Sequence, residues 1–80
     1  MLQNSKELFK NALENKYSIG AFNFINYEML FAIIEAAKKL NSPVIIQNST
    51  GAIKYCGVKI LKAMVYTMCE GLEIPVCWNF

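Results

Sequence analysis

An α/β fold with parallel strands is what this sequence predicts, and three observations predict it. The run Pro43-Val44-Ile45-Ile46 sets apolar, β-branched residues side by side without alternation, the pattern of a strand covered on both faces, and its opening proline stands where no ladder donor is needed. Strand-like runs at Tyr17 to Phe22, Pro43 to Ile46 and Ile74 to Trp78 alternate with stretches of helical periodicity, as crossover connections between parallel strands require. Each run also turns polar where it ends: into Asn23, into Gln47-Asn48-Ser49-Thr50-Gly51, and into Asn79. Open parallel sheets and barrels bind ligands beyond the carboxyl ends of their strands, so these three ends are where function is expected.

The elements follow in chain order. Asn4 or Ser5 caps a first helix, with Glu7 three residues after Asn4 as in a capping box; Leu8, Phe9, Ala12 and Leu13 form its apolar face, and it ends near Asn15. Tyr17 to Phe22 is the first strand, where Gly20 lets a neighbouring backbone approach closely. Asn26 starts a second helix with Glu28 in its first turn and Lys38 and Lys39 in its last, complementing the macrodipole. Leu30, Ile33, Ile34 and Ala37 give its apolar face, widened by Met29, Ala36 and Leu40. Asn41-Ser42-Pro43 returns the chain to the second strand. Gly51 and Gly57 bracket a short turn through Ala52 to Tyr55, one helical turn at most. A third long helix from about Val58 places Ile60, Leu61, Met64, Val65 and Met68 on one face, and Gly71 caps it. Pro75 opens the last strand. No linker interrupts the order, so residues 1–80 read as one structural unit.

Composition narrows the function classes. Eighty residues make one small domain, which buries only about 60% of its unfolded surface. The chain is nevertheless 55% hydrophobic and 18% charged, against about 45–50% and about 25% in an average globular domain. The excess suits interior strands and one-sided helices whose covering partners lie outside these residues. A membrane is excluded as the explanation: the longest apolar run, Met29 to Ile34, has six residues, whereas a spanning helix needs about 20. The segment Met1 to Glu7 has no apolar signal core, which predicts a cytoplasmic protein. The net charge of +2 comes from scattered lysines with no arginine and no basic block, which excludes nucleic acid as a partner. Cys56, Cys69 and Cys77 lack metal-knuckle or disulfide spacing and read as small buried thiols. Histidine is absent, and with it the commonest metal ligand and general base.

The candidate binding residues are therefore Asn23, Gln47, Ser49, Thr50 and the Gly51 backbone, all just past strand ends. The competing reading is that asparagine and serine there only satisfy turn amides or cap helices. Glu28, Glu35, Glu70 and Glu73 read as solubilising charge. No Ser/His/Asp, Cys/His or paired-carboxylate arrangement can be assembled.

The ordered set Tyr17-Ser18-Ile19-Gly20-Ala21-Phe22-Asn23, Ile33-Ile34-Glu35-Ala36-Ala37, Ser42-Pro43-Val44-Ile45-Ile46-Gln47-Asn48-Ser49-Thr50-Gly51-Ala52 with Lys54-Tyr55, and Ile74-Pro75-Val76 resembles the opening of class II fructose-bisphosphate aldolases. The resemblance runs over nearly the whole chain. It implies a zinc-dependent (β/α)8 TIM barrel, of which this would be an incomplete domain of about three β/α units, and a sugar bisphosphate substrate. It assigns Asn23 and Ser49 to the substrate mouth. It also implies that the catalytic aspartate and the first zinc-binding histidine follow Cys77-Trp78-Asn79-Phe80, beyond the last residue, and that a histidine is usual where Asn79 stands. No zinc site and no catalytic residue are then expected within residues 1–80, and the chain alone is expected to be inactive. Two other expectations stand beside this one: a tagatose-bisphosphate or other ketose-bisphosphate aldolase segment, and a non-catalytic module that docks on itself or on a full-length aldolase. An independent phosphate-binding protein is disfavoured, because the polar loop has neither a glycine-rich cradle nor an arginine nearby.

Overall fold

The computed structural model describes residues 2–79. The elements run α1 (Ser5–Asn15), β1 (Gly20–Asn23), α2 (Tyr27–Lys39), β2 (Val44–Gln47), α3 (Thr50–Cys56), α4 (Val58–Cys69) and β3 (Val76–Asn79). The three strands form one parallel sheet in the order β1-β2-β3. Gly20, Ala21, Phe22 and Asn23 pair with Val44, Ile45, Ile46 and Gln47, which pair in turn with Val76, Cys77, Trp78 and Asn79. All three carboxyl ends therefore lie on one edge.

Local chemistry sets the boundaries. Asn4 Oδ1 accepts the Glu7 N–H at 3.0 Å, Asn26 Oδ1 the Met29 N–H at 2.8 Å, and Ser49 Oγ the Ala52 N–H at 3.2 Å, so three helices open on a capping side chain. Helix α2 closes with Asn41 in the left-handed region at φ 49°, the Ser42 N–H reaching the Ala37 carbonyl at 3.0 Å. Gly71, at φ 76°, ends α4 as its spacing predicts.

Strands β2 and β3 are covered on both faces, whereas all four residues of β1 are exposed. On one side Val44, Ile46 and Val76 pack with Leu30 and Ile34 of α2 and with Leu61 and Val65 of α4. On the other, Ile45 and Cys77 meet Leu8 of α1. Cover on both faces is what the unbroken apolar run of β2 predicts; the second layer, α1, is thin, and only its Leu8 and Ala12 are buried.

Several expectations need correction. Strand β1 is Gly20–Asn23 and excludes Tyr17 to Ile19, because Lys16 turns left-handed at φ 55° and the Tyr17 N–H closes back on the Ala12 carbonyl at 3.0 Å. The expected single turn after Gly51 is a seven-residue helix, α3, since Ser49 caps it and Gly51 sits within it at an ordinary φ. Gly20 accommodates no neighbouring backbone: a Cβ there would lie 2.5 Å from the ring of Phe22. Phe9 and Leu13 of α1, Met29 and Ala36 of α2 with Leu40 just past its end, and Ile60 of α4 are exposed, because no element among the described residues stands against those flanks.

Candidate functional site

Period-two alternation builds the site. Ile45 and Cys77 lie on the α1 side of the sheet with Leu8, so the residues two steps on, Gln47 and Asn79, share that side, as does Asn23, the register partner of Gln47. Cys77 Sγ lies 3.6 Å from Asn79 Oδ1, as expected of i, i+2 neighbours on one face. Three carboxamides thus stand abreast at the carboxyl edge, one per strand, with Ala21, Ile45 and Cys77 in register below them. Asn23 and Asn79 are exposed and Gln47 is half-buried. The row is polar and uncharged, suited to hydroxyl and phosphoryl oxygens through its N–H donors and to hydroxyl hydrogens through its carbonyls.

Ser49 follows two residues after Gln47, exposed, at the entry to α3. Its oxygen accepts the Ala52 N–H, so the capping role is realised; the hydroxyl hydrogen remains to be donated. Thr50 is the exposed first residue of α3. Gly51 keeps a negative φ, and a Cβ there would sit 3.7 Å from Ser49 Oγ, an ordinary contact, so its backbone needs no glycine.

Asn48 does something the sequence reading missed. It is 8% exposed and lies between the strand ends. Its Nδ2 donates to the Phe24 carbonyl at 2.9 Å, its Oδ1 accepts from Trp78 Nε1 at 2.6 Å, and its backbone N–H donates to the Asn79 carbonyl at 3.1 Å. The available signal was parity: position 48 continues the buried set of Val44 and Ile46, so an asparagine there must find internal partners.

Burial pushes the thiols of Cys69 and Cys77 above the ordinary thiol value, which makes them poor nucleophiles and poor metal ligands at neutral pH. Among the described residues no group of three or more His, Cys, Asp or Glu side chains could hold a metal ion. The residues here do not fit a zinc site. No helix among them is long and apolar enough to cross a membrane. An apolar groove of about 470 Å³ lies away from the amide row, along the edge of β1 that no described strand pairs and the flank of α2, lined by Gly20, Phe22, Ile33, Ala36, Leu40 and Pro43 among others.

Comparison with known proteins gives this edge its setting. Residues 3–80 match the family described as Fructose-bisphosphate aldolase class-II. The chain is 51% identical over 77 residues to the fructose-bisphosphate aldolase of Helicobacter pylori, covering 95% of this chain and 25% of that protein. It is 42% identical over 80 residues to that of Treponema pallidum, covering 94% and 24%. The crystal structure of the YdjI aldolase from Escherichia coli K12 superimposes with a TM-score of 0.86 at 32% identity, over 98% of this chain and 31% of that one. The three-stranded parallel unit matches the N-terminal part of that fold. The chain spans about a quarter of the length of the curated relatives it matches. By sequence over nearly all its residues, and by strand order and direction, the chain belongs to the class II fructose-bisphosphate aldolase family.

Proposed function

We propose that this chain is the first β/α portion of an aldolase barrel, that Asn23 and Ser49 meet the sugar bisphosphate at the barrel mouth, and that cleavage of fructose 1,6-bisphosphate to dihydroxyacetone phosphate and glyceraldehyde 3-phosphate is the work of the complete barrel. The observation that carries the proposal is the shared edge: the strands are parallel neighbours, so Asn23 ends β1 beside Gln47, and Ser49 follows two residues after Gln47. In this reading Asn23 supplies a carboxamide and Ser49 a donated hydroxyl to substrate oxygens. Metal binding and proton transfer are assigned to residues outside these 80, since the sequence contains neither histidine nor aspartate. The ketose bisphosphate is named from the family; a tagatose-type substrate would use the same two residues.

The test is a graft in which residues 3–79 replace the matching segment of the Helicobacter pylori relative. Asn23→Ala and Ser49→Ala in the graft are expected to lower kcat/KM for fructose 1,6-bisphosphate by about tenfold or more each, the loss of one hydrogen bond to a charged group. Wild-type kcat/KM in both variants would remove the two residues from the mouth.

A further inference from the structure

Strands in a sheet lie about 4.8 Å apart, so the two neighbours of a middle strand are nearly 10 Å from one another. Only a group standing at the end of the middle strand reaches both. Asn48 stands there. Its carboxamide spans from the Phe24 carbonyl, one residue past Asn23 on β1, to the Trp78 indole, one residue before Asn79 on β3. The orientation of the amide is fixed by its partners, because a carbonyl only accepts and an indole N–H only donates. The backbone N–H of Asn48 adds a third link, to Asn79 itself. At 8% exposure the side chain has no room for a ligand of its own.

We infer that Asn48, paired with Trp78, is a positioning residue that sets the spacing of the Asn23, Gln47 and Asn79 carboxamides. The brace stands on the face opposite the row, on the buried side with Ile46 and Phe24, and acts through the strand ends. Its meaning for substrate rests on the mouth proposed above; its existence does not. The two links are also separable. Trp78→Phe removes the indole donor and keeps a ring in place, cutting the side-chain link to β3 alone. Asn48→Asp keeps an acceptor for the indole and removes the donor to Phe24, cutting the side-chain link to β1 alone.

The experiment is a nitrogen-15 correlation spectrum of the 80-residue chain, dilute and without ligand. The chain has one tryptophan, hence one indole N–H signal, which is expected to exchange with solvent about tenfold or more slower than free tryptophan because it is held in a partly buried hydrogen bond. Trp78→Phe is expected to shift the side-chain amide signals of Asn79 and leave those of Asn23 in place. Asn48→Asp is expected to shift Asn23 and leave the indole N–H slow to exchange. A role confined to overall stability would move both amides together in both variants. That pattern would overturn the inference, as would amides unmoved in both variants, an indole that exchanges like free tryptophan, or a wild-type chain without dispersed signals. Because no ligand is used, the kinetics of the graft bear on the mouth alone, and the two failures are distinguishable.

Discussion

Ser49 shows how one side chain can serve structure and ligand together: its oxygen is occupied by the Ala52 N–H while its hydrogen is available. Removing the hydroxyl therefore costs about 1 kcal/mol of stability as a lost cap, separately from any effect on binding. The thiols differ in another way. Cys69 and Cys77 are buried, whereas Cys56 is half-buried with Sγ 3.1 Å from the Ile25 carbonyl. Titration with a chromogenic disulfide is expected to modify Cys56 first and the other two only on unfolding. Burial raises the folded-state value of the buried pair, so their share of stability is full below the unfolded thiol value and is lost as pH rises through the raised folded one. Denaturation midpoints should fall in alkaline solution, and Cys69→Ala with Cys77→Ala should flatten that fall; equal alkaline slopes would contradict it. Asn23 and Ser49 stand out in the sequence as candidates because each is polar at the end of an apolar, strand-like run. Asn48 was not, because nothing in a single sequence says that Trp78 would be its partner.

Among the elements, those with a cap and a one-sided apolar stripe were legible. Helix α2 opens at Asn26 and closes at Asn41 as its residues dictate, and β2 is the buried strand its unbroken apolar run predicts. Asn26→Ala is expected to destabilise the fold by about 1 kcal/mol in denaturant titrations. The apolar stripes were read too wide. In α1, Leu8 is buried and Leu13 is 82% exposed, so Leu8→Ala is expected to cost about 2–5 kcal/mol and Leu13→Ala to be near neutral. Equal effects would mean that α1 is not seated by Leu8 on Ile45 and Cys77. Periodicity identifies which residues could face a core; whether a neighbour stands there is a property of the whole fold. The lengths of β1 and α3 were misjudged for a related reason, since each depends on one local hydrogen bond, Tyr17 to Ala12 and Ala52 to Ser49, that glycine spacing does not reveal.

For the whole molecule the sheet's two edges are unequal. Beside β3, Leu2 bridges Val76 and the Gln3 N–H donates to the Val76 carbonyl at 2.7 Å. Strand β1 pairs only with β2 among the described residues, Phe22 is 50% exposed, and the apolar groove runs along the same flank. Open strand edges and apolar flanks associate, so the isolated chain is expected to sediment faster as its concentration rises. In a barrel such an edge is closed by further strands. The central claim, that this chain is a barrel segment, is tested most directly by mixing it with the complementary remainder of the Helicobacter pylori aldolase in the presence of zinc and measuring fructose 1,6-bisphosphate cleavage in a coupled triose-phosphate assay. The account predicts a one-to-one complex that turns over substrate while each piece alone does not. Cleavage by the 80-residue chain alone, or a folded mixture that forms no complex, would contradict it.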